Sequence, residues 1–81
     1  MQPISNETIS EKLKAVFPDG IVEVSGDGYK YQVAIVSETF SGLTKVKRHQ
    51  KVYAILNEAI ASGALHALTL TTLTPEEYKA T

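Results

Sequence analysis

The side chains with most chemical reach in this 81-residue sequence are two histidines, His49 and His66, and four clustered cations, Lys45, Lys47, Arg48 and Lys51. A neutral imidazole serves as metal ligand, acid or base. His66 follows a turn and opens an alternating segment, where a side chain can face outward at the end of a sheet. One imidazole is too few ligands to hold a metal, so ligation by His66 requires donors from a partner protein. His49 falls among the apolar residues of a long helical stretch, and its expected role is a buried, hydrogen-bonded core histidine. The chain has no cysteine, which excludes disulfide staples, thiolate nucleophiles and any cysteine-held cluster supplied by this chain alone.

Acid–base catalysis needs two carboxylates, or a carboxylate and a histidine, converging on a pocket. The close acidic pair Glu76-Glu77 opens a helix, where negative charge already complements the macrodipole. No serine lies in a G-x-S-x-G setting, and Gly26-Asp27-Gly28 has hairpin spacing rather than that of a phosphate cradle. These patterns do not describe an enzyme. The cations describe a docking face instead. Segment 45–51 carries about +4, which leaves about −5 for the rest of a chain of net charge −1. Such a local field steers an acidic partner or a phosphate backbone.

The elements that position these residues follow from periodicity. Ile9, Leu13, Val16 and Phe17 share one helical face over about residues 6–17, with Thr8 and Glu11 as a capping box and Ser5 as an alternative start. Pro18-Asp19-Gly20 then turns the chain. Segments 21–24 and 29–37 are β-branched and aromatic, and Ser25-Gly26-Asp27-Gly28 between them reads as a hairpin. In the second, Tyr29, Tyr31, Val33 and Ile35 share one face and Lys30, Gln32, Ala34 and Val36 the other. Gly42 permits the turn into a long helix whose apolar face is Val46, His49, Val52, Tyr53, Leu56, Ala59 and Ile60. Lys47, Arg48 and Lys51 fall opposite. Ser62-Gly63 stops this helix. Residues 66–73 alternate again, and Thr74-Pro75-Glu76-Glu77 starts a short terminal helix carrying Tyr78.

The order α-β-β-α-β with a last helical turn gives an α+β fold, a three-stranded mixed sheet with helices packed on one face. Length fits a single domain over residues 1–81. The longest apolar run, residues 33–36, is far short of the ~20 residues that span a bilayer. No basic-then-apolar leader opens the chain, so a cytoplasmic protein is expected.

The second half resembles the BolA family. The resemblance rests on Phe40-Ser41-Gly42, Val46-Lys47-Arg48-His49, Val52-Tyr53 and Leu56. It continues in His66-Ala67-Leu68-Thr69-Leu70 and Thr74-Pro75-Glu76-Glu77-Tyr78. It spans about residues 20–79, and Val24-Ser25-Gly26-Asp27-Gly28 is similar to the short bacterial BolA-like branch. This implies a class II KH-like fold of order αββααβ, with a final helix in many members. It also implies binding to a monothiol glutaredoxin, with a bridging 2Fe–2S cluster shared with that partner and its glutathione. His66 matches the strand histidine that ligates in the family. Some members are transcription regulators tied to stress response and cell shape.

The second family ligand, a His or Cys, belongs to the loop joining the first two strands. Here that loop, Ser25-Gly26-Asp27-Gly28-Tyr29-Lys30, holds neither, and Lys30 stands about where a histidine would be. A protonated lysine has no lone pair to donate, and carboxylate oxygen suits iron–sulfide poorly. The sequence therefore predicts an adaptor for 2Fe–2S trafficking or sensing that binds a cluster only with its partner, through His66. Gly42, Lys45, Lys47, Arg48 and Lys51 would form the docking face. Ligation by an imidazole weakens as pH falls toward ~6. The alternative is a KH-like DNA or RNA binder that uses Lys45, Lys47, Arg48 and Lys51. Alone, the chain is expected to be a monomer or a weak homodimer.

Overall fold

A computed structural model describes residues 4–80. The first helix, α1, spans Asn6–Val16. Its cap is Ser5, whose hydroxyl oxygen accepts from the Thr8 N–H at 3.0 Å and lies 2.8 Å from Thr8 Oγ1. Thr8 is thus inside the first turn, one turn later than a Thr8–Glu11 capping box would need. Ile9, Leu13 and Phe17 carry the buried stripe at 1% exposure or less, while Val16 stays open to solvent. The Phe17 N–H closes the helix on the Leu13 carbonyl at 2.9 Å.

Strand β1 (Ile21–Gly26) pairs antiparallel with β2 (Lys30–Val36), in register from Ile21 opposite Val36 to Gly26 opposite Tyr31. One carboxylate organises the turn. Asp27 Oδ1 accepts from the Tyr29 N–H at 2.9 Å and the Lys30 N–H at 2.8 Å, and Gly28 takes φ +94°. The Lys30 bond, then the Tyr29 bond, hold the Asp27 carboxyl below the usual carboxylate range. In β2 the expected alternation holds from Lys30 to Ile35, while Val36, expected on the opposite face, is buried as well. Tyr31, Val33 and Ile35 are buried, and the Tyr31 hydroxyl donates to the Ile4 carbonyl at 2.6 Å, which satisfies a phenol inside a core.

A 3-10 turn, Glu38–Phe40, follows β2 and supplies the additional helical element of the αββααβ order. Ser37 Oγ caps it from the Thr39 N–H, and Phe40 is fully buried, its ring 5.2 Å from that of Phe17. Gly42 then takes φ +79° with nothing within 4 Å of where a Cβ would stand. The glycine is there for backbone conformation and not for space. Helix α2 (Lys45–Ala61) starts at Thr44, whose hydroxyl accepts from the Lys47 N–H at 3.3 Å. Val52, Leu56 and Ala59 are its buried residues. Val46, Tyr53 and Ile60, expected on the apolar face, are exposed at 65%, 41% and 37%.

Strand β3 (Ala67–Leu73) lies parallel to β2, with Lys30 opposite Ala67 and Val36 opposite Leu73. The sheet order is β1-β2-β3, so it is mixed, with β2 central. Helix α3 (Pro75–Ala80) is capped reciprocally: the Glu77 N–H donates to Thr74 Oγ1 at 3.2 Å and the Thr74 N–H to Glu77 Oε1 at 2.9 Å. The core lies on one face of the sheet, built from α1, β2, α2 and Phe40. On the other face Glu23, Ser25, Gln32, Thr69 and Thr71 are exposed.

Candidate functional site: the open end of the sheet and the start of α2

Two neighbours in sequence pin His66 where β3 begins. The Leu65 N–H donates to the Ala59 carbonyl at 3.1 Å, and the Ala67 N–H donates to the Tyr29 carbonyl at 3.2 Å. Leu65 is buried and His66 exposed. The imidazole stacks on the Tyr29 ring, with centroids 5.1 Å apart and planes at 22°. Among the described residues neither ring nitrogen of His66 has a hydrogen bond. Aromatic stacking restricts the ring while leaving its nitrogens unengaged.

The hairpin loop lies at the same end, because Lys30 stands opposite Ala67. It adds no obvious ligand. Asp27 already uses Oδ1 on two backbone N–H groups, and Lys30 offers only an ammonium. Among the described residues no three His, Cys, Asp or Glu side chains gather in a way that could hold a metal ion. One imidazole by itself is too few ligands to hold a metal ion.

His49 differs from expectation. It is half-buried, and its Nε2 is enclosed without a hydrogen-bond partner among the described residues. A place in the apolar flank of α2 gave it enclosure but no acceptor or donor in reach.

Lys45, Lys47 and Lys51 are exposed along α2, and Lys45 and Lys47 lie in its first turn just beyond the Gly42 bend. Arg48 does not share that exposure. Its side chain is 12% exposed and bonded throughout. Nε donates to the Leu43 carbonyl at 3.0 Å, and Nη1 donates to the Thr72 carbonyl at 3.1 Å. Nη1 and Nη2 also grip Glu77 Oε1 and Oε2 at 2.7 and 3.1 Å. This bidentate geometry is the strong form of the pair. It raises the Arg48 pKa and, with the Thr74 N–H adding to it, lowers that of Glu77 to about 2. Arg48 thus fastens the start of α2 to the end of β3 and to α3. A helical wheel put it opposite the core because a wheel records direction and not reach.

Tyr29 is the site residue that sequence reasoning missed. Its aromatic type was visible, but it was placed on the inner face of β2 with Tyr31. It precedes the strand at Lys30 and is 59% exposed. Only the parallel pairing of β2 with β3 brings it onto His66.

No helix among the described residues is long and apolar enough to cross a membrane. The model of the BolA family, described as BolA-like protein, matches residues 4–77. An uncharacterized protein from the rpoN-murA intergenic region of Acinetobacter guillouiae is 46% identical over 76 residues, 94% of this chain and 92% of its own. The DNA-binding transcriptional regulator BolA of Haemophilus influenzae is 44% identical over 55 residues, 68% of this chain and 52% of its own. A solved BolA protein homologue from Coxiella burnetii superposes with a TM-score of 0.79 at 31% identity, covering 94% of this chain and 97% of that one. In motif, in strand order and in these likenesses, the chain belongs to the BolA family.

Proposed function

We propose that this protein is an adaptor that docks on a monothiol glutaredoxin and donates one imidazole, from His66, to a 2Fe–2S cluster carried between the two chains. The observation that carries the reading is the exposed His66 ring, stacked on Tyr29 and without a hydrogen bond among the described residues. A ring sealed in the core would have no such use. The cluster is cargo, and its remaining ligands belong to the partner thiolate and glutathione. Lys45, Lys47 and Lys51 steer docking, and Arg48 holds in place the helix that presents them. With one ligand from this side, the shared cluster is more labile than one held by two.

Anaerobic addition of the protein to cluster-loaded monothiol glutaredoxin tests the reading. The visible absorption and circular dichroism bands should shift with wild type and not with His66→Ala, while calorimetry still detects docking. An identical spectral change with His66→Ala would rule His66 out.

A second reading rests on the three exposed lysines and on a relative whose name describes a DNA-binding transcriptional regulator. With Arg48 engaged in the fold, those lysines limit the log–log salt dependence of duplex DNA binding to a slope of about 3 in magnitude. Absence of binding at ~50 mM salt would retire it.

A further inference from the structure

Strand β3 lies at the edge of the sheet, and its hydrogen bonds reveal which backbone groups face outward. The Ala67 N–H donates to Tyr29 and the Leu73 carbonyl accepts from Ser37, so both residues address β2. Backbone direction alternates along a strand. Ala67, Thr69, Thr71 and Leu73 therefore serve the ladder, and Leu68, Leu70 and Thr72 turn their N–H and C=O groups to the open edge. Arg48 Nη1 occupies one of these, the Thr72 carbonyl. The N–H and C=O groups of Leu68 and Leu70 have no partner among the described residues.

Natural sheets guard such an edge with charge, proline or a bulge. Residues 64–74 contain no Lys, Arg, Asp, Glu or Pro. The opposite edge, β1, is guarded: Glu23 lies mid-strand, and the Asn6 amide donates to the Gly26 carbonyl at 3.4 Å.

We propose that the β3 edge pairs with the β3 edge of a second copy of this chain, antiparallel about a two-fold axis at Thr69. The register identifies the occupant. With Thr69 opposite Thr69, Leu68 of each copy faces Leu70 of the other, and their N–H and C=O groups exchange four hydrogen bonds. An axis one residue earlier would leave the Leu70 groups only those of His66, which precedes the strand, to bond with. An axis one residue later would set the Leu68 N–H against the Thr72 carbonyl that Arg48 already holds. On the outer face the register sets threonine against threonine and Ala67 against Thr71, which are favourable cross-strand neighbours, and no like charges meet. One short strand makes a small interface, so the dissociation constant is on the order of 0.1–1 mM. The pairing ends beside His66, so the dimer competes for the same end of the sheet. That consequence rests on the glutaredoxin reading; the dimer does not.

The test is sedimentation equilibrium over a range of concentrations, without partner. Thr69 is exposed, so Thr69→Lys and Thr69→Glu leave the fold intact, as thermal unfolding will verify. Each places like charges at the axis and should weaken dimerisation by about tenfold or more. An equal mixture of the two variants should associate at least as tightly as wild type. Glu23→Lys, on the same face of β1, should change nothing. Wild type that stays monomeric to about 1 mM, or variants that associate as wild type does, would overturn the proposal.

Discussion

The guanidinium of Arg48 and the carboxylate of Glu77, 29 residues apart, meet through two parallel contacts of 2.7 and 3.1 Å. The same carboxylate caps α3 by accepting the Thr74 N–H. One acidic group therefore closes a helix start and ties that helix to α2.

This gives stability a pH dependence of known sign. The Glu77 pKa falls from 4.5 to about 2 on folding, so the folded state binds its proton less readily than the unfolded chain. The contribution is complete above about 4.5 and is lost as pH drops through about 2. Glu77→Gln should melt below wild type at neutral pH, and the gap should close across that window. A gap that stays constant down to pH ~2 would show that the ionised pair is not its source.

Gly42 should be sensitive to conformation and not to volume. An alanine there meets nothing within 4 Å but must hold φ +79°, at a cost of about 1–2 kcal/mol. Gly42→Asn should cost less, because asparagine tolerates the left-handed region better. Urea unfolding of both variants measures the difference, and equal losses would contradict the conformational account.

Phe40 is the one buried side chain of its 3-10 turn and abuts Phe17 at 5.2 Å. Phe40→Ala should cost about 3–5 kcal/mol. Hydrogen exchange should show the loss first around residues 37–44, since this ring is what anchors that turn to the core.

The Tyr29–His66 stack should be visible in solution. The His66 ring protons feel the Tyr29 ring current, so Tyr29→Ala should shift their proton resonances and Tyr29→Phe should leave them near wild-type values. If both variants match wild type, the rings are not stacked.

Local pattern made much of this molecule legible. Ile9, Leu13 and Phe17 marked α1, the alternation from Tyr31 to Ile35 marked the inner face of β2, and Thr74 with Glu77 marked the start of α3. The Ser62-Gly63 turn and the alternation after it placed His66 at the mouth of a strand. What escaped were relations between distant segments. Arg48 reaches partners 24 and 29 residues away, and Tyr29 meets His66 only through the β2–β3 register. A wheel likewise drew the apolar face of α2 wide enough to include Val46, Tyr53 and Ile60, whereas the buried stripe is narrower, Val52, Leu56 and Ala59.

Ile4 is laced to the body of the protein at two points: its N–H donates to the Ala64 carbonyl at 3.1 Å and its own carbonyl accepts the Tyr31 hydroxyl. Ala64 lies two residues before His66, so this tie joins the lead into α1 to the lead into β3. A shift of the segment before β3 would therefore pull on the segment before α1, although the two are some sixty residues apart in the chain.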